Sequence, residues 1–242
     1  MHGEDSSSPS ADSRSRYRVR AERAPAHPVT LEGAPSEDLT VVSIELKGAT
    51  GEAVRIHLSD GSFFVLHAEV YAREGISTGT ALDAEKTAEL LSRSERVFAR
   101  LRALSLLSRA AHSRKGLERK LAARGFSTEA IRYAIGRVSE LGYLDDNAFA
   151  ESWVRSRVAG GKTGWNALYK GLLGKGVARA TAEEVVGALC SFEDEVESAR
   201  QIAEGLTPAA AIRKLAGRGF RSRTISKVLR ERKNADRAAQ EE

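Results

Sequence analysis

Hydrophobic positions follow two different periods along the chain, and the first of these is typical of β-strands. Between residues 39 and 67, three short β-rich runs begin at Leu39, Ala53 and Ser62, and apolar and polar residues alternate in the first two. A period of two predicts strands with one buried face. The residues expected on these faces include Val42, Ile44, Leu46, Val54, Ile56 and Leu58. The Asp60-Gly61 turn between the second and third runs indicates a hairpin. The runs therefore predict a small antiparallel meander, which must pack against helices because so few strands are marginally stable alone.

The second period begins at Asp83, a suitable helix N-cap. From there apolar residues recur every three or four positions, which is typical of amphipathic helices. The first helical face is expected to contain Leu90, Leu91, Val97, Leu101, Leu104 and Leu107. Beyond residue 104 nearly the whole chain is predicted to form short helices separated by glycines.

One local pattern occurs three times without gaps, in residues 120–126, 171–177 and 214–220. In each copy a basic residue (124, 175 or 218), expected in the last helical turn, precedes a glycine. These glycines, Gly125, Gly176 and Gly219, are expected to end the helix in the left-handed conformation, which other residues adopt only with strain. The spacings of 51 and 43 residues are in the range of helical repeats.

Capping residues predict where the helices of each repeat begin. Ser113 and Thr207 are expected to cap the helix that ends at the glycine, and Pro208 fits the first helical position. Ser127 is expected to cap the following helix in the first repeat, and Thr181-x-x-Glu184 resembles a capping box in the second. Leading helices are predicted near residues 96–109, 146–158 and 194–205, so each repeat has three helices.

The predicted fold is mainly α: an elongated array of three tandem three-helix repeats, preceded by a small antiparallel β-meander and a disordered N-terminal tail. The tail is predicted from its lack of large apolar residues. Its run Arg14, Arg16, Arg18 and Arg20 is a candidate for nucleic-acid contact, although a solvated tail is the favoured interpretation. The predicted divisions are residues 1–37 (tail), 38–82 (β-rich region), 83–145 (connecting helix and repeat 1), 146–192 (repeat 2) and 193–242 (repeat 3).

Positive charge is concentrated in the helical part. The chain carries a net charge of +5, but residues 104–242 alone have 25 basic and 17 acidic side chains, a net +8. Such a segment favours a polyanionic partner, either nucleic acid or the acidic face of a protein. The candidate partner-binding or DNA-binding residues are Arg114, Lys115, Arg119, Arg155, Arg157, Lys162, Lys170 and Lys175. For Arg157 an ion pair with Glu151 or Glu118 is an equally good interpretation.

Other conspicuous residues favour structural roles. Asp145-Asp146 is interpreted as a double N-cap of the helix that follows. Gly161-Lys162-Thr163 lacks the glycine and the strand that a P-loop requires, so residues 159–164 are either a cationic loop that approaches phosphate or a plain linker. Trp153 is expected to pack in a core, whereas Trp165 could pack or stack on a base.

No catalytic or metal-binding pattern occurs in the sequence. The five histidines lack metal-ligand spacing, the single Cys190 has no catalytic setting, and no nucleophile elbow is present. We therefore expect no enzyme activity, no cofactor and no metal. No segment reaches the roughly 20 apolar residues of a membrane span, and the start of the chain does not resemble a secretory signal. The expected location is the cytoplasm, without membrane contact.

Two blocks of residues resemble a known family. Ser113-x-x-Gly-Leu-x-x-Lys-Leu-x-x-Arg-Gly-Phe is similar to the first-repeat signature of the RecX regulatory proteins. The run Leu141-Gly-Tyr-Leu-Asp-Asp-x-x-Phe-Ala, followed by Val154-x-x-Arg157 and Gly164, resembles a second block of that family. The resemblance covers roughly residues 104–231. Repeat 2 departs from the family pattern at Gly171 and Gly174.

This resemblance implies a non-enzymatic modulator of the RecA recombinase. Proteins of this family bind RecA filaments on single-stranded DNA and inhibit filament extension, ATP hydrolysis, strand exchange and coprotease activity, and thereby modulate recombination and the SOS response. The expected partners are the RecA filament and single-stranded DNA, and the chain is expected to be a monomer.

Two other functions remain open at this point. Three-helix units with glycine turns also resemble helix-turn-helix modules, so the chain could bind DNA non-specifically without RecA. It could also be a helical scaffold for another protein.

Overall fold

The computed structural model describes residues 38–48 and 51–241, and the predicted tail 1–37 lies outside them. In this part of the chain four strands, ten helices and the loops between them follow one another. The strands are β1 (Leu39–Lys47), β2 (Ala53–Leu58), β3 (Phe63–His67) and β4 (Ala81–Leu82). The helices are α1 (Ala68–Glu74), α2 (Ala84–Leu107), α3 (Arg114–Ala122), α4 (Thr128–Glu140), α5 (Asp146–Val158), α6 (Trp165–Gly174), α7 (Arg179–Leu189), α8 (Phe192–Ala203), α9 (Pro208–Gly217) and α10 (Ser222–Glu241). This confirms the mainly helical class with an N-terminal antiparallel sheet.

The predicted meander is present, but it is part of a four-stranded sheet in the order β3-β2-β1-β4. The hairpin between β2 and β3 turns at Gly61, whose φ is +83°. Val54, Ile56 and Leu58 are buried as predicted. The buried face predicted for β1 is wrong at Val42, which is 54% exposed, because the pairing with β2 shifts between Val41 and Ser43.

This irregularity changes which β1 side chains face the core. Val41 lies opposite Leu58 and is 1% exposed, whereas Ile44 pairs with Ile56 beyond the shift and is half-buried. Leu46 was also expected to be buried, but it is 72% exposed near the end of the strand. Strict alternation fails because the extra residue moves the register by one position.

Helix α2 connects the sheet to the repeats. Asp83 caps it as predicted, accepting a hydrogen bond from the Lys86 N–H at 2.6 Å. Its first half packs Leu90 and Leu91 against the sheet, and its second half contributes Ala99, Ala103 and Leu106 to the first helical core. The first leading helix is therefore the second half of a longer helix, and Leu101, expected on the apolar face, is 42% exposed.

Three helical units follow in series, each with its own hydrophobic core. They are unit 1 (the second half of α2, with α3 and α4), unit 2 (α5–α7) and unit 3 (α8–α10). Gly125, Gly176 and Gly219 have φ values of +83°, +87° and +76°, which confirms the left-handed helix stops. The domain limits drawn from the sequence stay predictions.

Two local expectations in the units are wrong. The capping box at Thr181 and Glu184 does not form, because α7 already begins at Arg179 with Ala178 as its N-cap. The basic residues before the glycine stops lie at the helix end rather than in the last turn: Lys175 and Arg218 are C-cap residues, and Arg124 follows the C-cap.

Candidate functional site

The candidate site begins at the junction between unit 1 and unit 2, where the start of α3 contacts the end of α6. The Ser113 hydroxyl donates a hydrogen bond to the Lys175 carbonyl and accepts one from the Gly116 N–H at 3.0 Å. The Arg119 guanidinium donates to the Gly174 carbonyl at 3.1 Å. The sequence-predicted cap at Ser113 therefore also joins the two units, and the junction brings Lys175 next to the cations of α3.

Close packing at this junction explains the glycine at position 176. A Cβ atom built there would lie 2.4 Å from the Cβ of Lys115, closer than any real contact. Gly176 therefore serves both the left-handed stop and the approach of α3. As a result Lys115, Arg119 and Lys175 form one group of cations at the junction.

The two aspartates at the start of α5 cap two different helices. Asp145 accepts hydrogen bonds from the Asn147 and Ala148 N–H groups at 2.8 and 3.0 Å, which confirms it as the N-cap of α5. Asp146 does not share that role, contrary to the predicted double cap. Its Oδ1 accepts a hydrogen bond at 2.7 Å from the N–H of Arg114, the first residue of α3. This bond fixes the backbone of Arg114 against unit 2.

A tryptophan on α5 holds two of the predicted cations. The guanidinium carbon of Arg157 lies 3.7 Å from the centre of the Trp153 ring, and the Nζ of Lys175 lies 5.9 Å from it. Both are within cation–π distance. The indole is half-buried against the core of unit 2 and comes so close to Gly171 that a Cβ there would be 2.3 Å from its Cη2 atom. This contact accounts for the glycine at position 171.

Arg157 forms a hydrogen bond to a backbone carbonyl and not the ion pair considered for it. Arg157 donates to the Trp153 carbonyl at 3.3 Å, and it pairs with neither Glu151 nor Glu118. Its neighbour Arg155 forms the ion pair with Glu151, at 3.3 Å. Arg155 is therefore the member of the predicted set whose charge is partly neutralised within the protein.

The remaining two predicted cations lie away from these contacts. Lys162 is exposed in the loop 159–164, and Lys170 is exposed on α6. The end of that loop is fixed to unit 3, since the Gly164 N–H donates to the Arg218 carbonyl at 3.0 Å. No hydrogen bond, ion pair or ring contact joins Lys162 or Lys170 to the α3–α6 junction in the part of the chain that the structure describes.

The charge balance of the predicted set is one-sided. Among residues 38–48 and 51–241, one member of the set has a carboxylate partner, namely Arg155. The others are Arg114, Lys115, Arg119, Arg157, Lys162, Lys170 and Lys175, and all of these except the half-buried Lys175 are exposed. Unpaired cations on a surface attract anions and are screened by salt. The arrangement can therefore bind a polyanion.

Sequence reasoning missed a second group of cations in unit 1. Burial, together with the charges of Arg124 and Arg109, lowers the pKa of Arg102 below its usual value. Burial and the charges of Lys120 and Lys175 likewise lower the pKa of His112. The seven-residue spacing of Arg102, near the end of α2, and Arg109, just beyond it, was the available signal. The lowered pKa leaves His112 uncharged at neutral pH, so Arg102, Arg109 and Arg124 are the groups that extend the positive charge of unit 1.

The described residues form neither a metal-binding cluster nor a membrane-spanning helix. Residues 38–48 and 51–241 contain no group of three or more His, Cys, Asp or Glu side chains that could hold a metal ion. Over the same residues, no helix combines the length and apolar character needed to span a bilayer.

Comparison with known proteins identifies relatives for most of the helical part. Residues 99–137 match the family model for the first three-helix domain of RecX, and residues 145–186 match the model for the second. Regulatory protein RecX of Stenotrophomonas maltophilia is 37% identical over 140 residues, covering 53% of this chain and 83% of the relative. Regulatory protein RecX of Thermus thermophilus is 39% identical over 118 residues, covering 49% and 80%.

A solved structure has a similar fold. A crystal structure of regulatory protein RecX superposes with a TM-score of 0.58 at 20% identity, covering 78% of this chain and 98% of the other. At that identity the likeness concerns the fold alone.

Proposed function

Because the chain belongs to the RecX family of regulatory proteins, we propose that it binds RecA recombinase filaments on single-stranded DNA and inhibits their extension. Inhibition of filament growth reduces the filament's ATP hydrolysis, strand exchange and coprotease activity. The protein thereby modulates recombination and the SOS response. It acts in the cytoplasm, as a monomer and without enzymatic activity of its own.

The observation that carries this proposal is the group of cations at the α3–α6 junction. Lys115, Arg119, Arg157 and Lys175 lie around one contact between two units, and none has a carboxylate partner in the described part of the chain. A filament of protein on DNA presents phosphates and acidic side chains along its groove. Phosphate contacts of this kind are independent of sequence, as a regulator of a filament on any DNA requires.

The serial arrangement of the units supports the same function. Units 1 and 2 are joined through α3 and α6, and units 2 and 3 are joined through the hydrogen bond from Gly164 to Arg218. A chain of units that contact only their neighbours presents an extended surface. Such a surface can follow the groove of a filament and contact several protomers at once.

The experiment that tests the proposal is a titration of RecA's DNA-dependent ATPase with this protein. We expect inhibition at substoichiometric amounts of the protein, because blocking extension at few sites limits the whole filament. A salt-dependent DNA-binding assay runs beside it, so that removal of RecA from the DNA by simple competition is recognised. Unchanged ATPase activity across a wide titration with the cognate RecA would refute the proposal.

The site is tested with the variant Arg157→Gln/Lys175→Gln, which removes the two cations at Trp153. The matched control is Arg213→Gln/Lys214→Gln, which removes two exposed cations from α9, so that both variants have the same net charge. We expect the first variant to need several-fold more protein for half-inhibition, with unchanged helix content by circular dichroism. Equal inhibition by both variants would place the contact elsewhere.

A further inference from the structure

A cluster of cations surrounds one aromatic ring in unit 3, outside the residues assigned to the filament contact. This Phe192 cluster consists of Phe192, Arg221, Arg223 and Lys227. The guanidinium carbons of Arg221 and Arg223 lie 5.7 and 4.8 Å from the centre of the Phe192 ring, and the Nζ of Lys227 lies 5.1 Å from it. Phe192 is the first residue of α8, and the cations lie at the start of α10 and just before it.

The cluster has more positive charge than its surroundings neutralise. Arg221 pairs with the buried Glu195, its Nε lying 2.6 Å from Oε2. Glu195 also accepts hydrogen bonds from the Thr224 hydroxyl and the Trp165 N–H, so its lone pairs are used within the protein. The side chains of Arg223 and Lys227 form no ion pair or hydrogen bond in the described part of the chain.

Acidic residues close in sequence do not correct this imbalance. Glu193 and Asp194 follow Phe192 on α8, but neither pairs with a cation of the cluster among the described residues. Asp194 instead accepts a hydrogen bond from the Ser191 hydroxyl at 2.7 Å. Two cations held side by side repel each other, and the ring attracts each by only about 0.5–1 kcal/mol at an exposed site. An anionic ligand would relieve this repulsion.

Two more aromatic rings adjoin the cluster. The Trp165 ring lies 5.5 Å from the guanidinium carbon of Arg221, and it stacks on Tyr169 with ring centres 5.1 Å apart. Both rings are half-buried and keep part of their surface towards solvent. Cations that contact phosphates, next to aromatic rings on which bases stack, are typical of proteins that bind single-stranded nucleic acid. An acidic protein segment would use the cations but not the rings.

From this geometry we infer that the Phe192 cluster is a binding site for single-stranded nucleic acid. Arg223 and Lys227 contact the phosphodiester backbone, Phe192 holds them in place, and Trp165 is the ring nearest to the bases. The site goes beyond the proposed filament contact, because it requires no RecA and its cations lie in a different unit. Its test contains no RecA, so its outcome is independent of the ATPase titration.

The first test measures the affinity of the full-length chain for a labelled oligothymidylate of about 30 nucleotides by fluorescence anisotropy, across a series of salt concentrations. The variant Arg223→Gln/Lys227→Gln removes the two cations without disturbing the Arg221–Glu195 pair. The control is again Arg213→Gln/Lys214→Gln, with the same loss of charge in the same unit. Thermal unfolding checks that both variants are folded. If the cluster variant is not folded, the single variant Arg223→Gln replaces it.

We expect the cluster variant to lower the affinity about 20-fold at 0.1 M salt and to reduce the salt slope by about 1.4, since each phosphate contact on a single strand contributes about 0.7. The control should change both much less. Equal losses in the two variants, or no binding by the native chain at low salt, would overturn the inference. Equal competition by a duplex of the same length would overturn the assignment to single strands.

The second test detects the bases directly. In a Trp153→Phe background Trp165 is the sole remaining tryptophan, because the chain contains two. Stacking of a base on this ring should quench its fluorescence when oligothymidylate binds. Binding without any change in Trp165 emission would overturn the role of the ring.

Discussion

Glu195 offers a stringent test of how unit 3 is held together, through the variant Glu195→Gln. The carboxylate is 1% exposed. Its Oε1 accepts hydrogen bonds from the N–H groups of Trp165 and Arg221 at 2.9 and 3.2 Å. Its Oε2 accepts from the Arg221 Nε and the Thr224 hydroxyl, both at 2.6 Å. One side chain therefore ties α8 to the start of α6 and to α10.

The expected loss of stability follows from these contacts. A glutamine keeps one acceptor oxygen, but its amide places N–H donors opposite the donor of Arg221. Breaking a buried ion pair costs about 3–5 kcal/mol, and Arg221 keeps 18% of its side-chain surface exposed, which relieves part of that penalty. We therefore expect Glu195→Gln to lower the free energy of unfolding by about 2–3 kcal/mol.

The loss should also depend on pH in a predictable direction. Burial alone would raise the pKa of Glu195, but the hydrogen bonds from Thr224, Trp165 and Arg221 outweigh it and hold the pKa below its ordinary value. A carboxylate with a lower pKa in the folded state stabilises the fold above its unfolded pKa of about 4.3. This contribution disappears as the pH falls through the folded pKa. The difference in free energy of unfolding between the native chain and Glu195→Gln is thus largest at neutral pH and shrinks below about pH 4.

Urea unfolding followed by Trp165 fluorescence, in the Trp153→Phe background, measures this effect locally. The control is Glu193→Gln, an exposed glutamate on the same helix, for which a loss of about 0.3–1 kcal/mol is expected from the helix dipole. A double-mutant cycle with Arg221→Gln measures the coupling of the pair. A loss below about 1 kcal/mol, a difference that persists at low pH, or additive effects in the cycle would each contradict the reasoning.

Three further predictions concern the junctions and the single thiol. Gly219→Ala should lower stability by about 3 kcal/mol or more, because the new Cβ would lie 2.5 Å from the Ala167 Cβ. The control Gly75→Ala, at φ +62° with open space around it, should cost only about 1 kcal/mol. Thermal unfolding measures both losses. Asp146→Ala removes the acceptor for the first N–H of α3 and should cost about 1 kcal/mol, with faster hydrogen exchange confined to that turn. Burial raises the pKa of the Cys190 thiol to about 11, so at pH 8 a thiol reagent should label it only as fast as the protein opens, and rapid labelling of the folded chain would contradict this.

Local signals in the sequence were sufficient for the helix caps and the glycine stops. The caps at Asp83 and Ser113 depend on a side chain and an N–H only three residues away. The capping box at Thr181 failed because α7 begins two residues earlier, at Arg179, directly after the stop of α6. Val177 is buried and its N–H donates to the Leu172 carbonyl at 3.1 Å, so the chain enters α7 directly after it.

Contacts between distant segments could not be predicted in the same way. The shift in β1 depends on its pairing with β2, which no pattern within β1 reveals. The hydrogen bond from the Arg114 N–H to Asp146 joins residues 32 positions apart. By contrast, Trp153 and Arg157 are four residues apart on one helix, as are Glu151 and Arg155, so this spacing alone could have distinguished the two arginines.

The excess of cations on the surface follows from how the units are joined. The carbonyls at the end of α6 are covered by the start of α3, and those at the end of α9 accept the N–H groups of Gly164 and Asn166. Opposite partial charges of helix ends meet at both contacts, which is favourable.

Each junction also engages one carboxylate. In each, a carboxylate from the following unit accepts the first N–H of the preceding middle helix, Asp146 for α3 and Glu195 for α6. The carbonyls at the end of α6 are already covered by the Ser113 hydroxyl and the Arg119 guanidinium, and those at the end of α9 by backbone N–H groups. Lys175 and Arg218, at these ends, therefore form no ion pair among the described residues. The same contacts that stack the units thus leave basic side chains at both junctions without a carboxylate partner among the described residues.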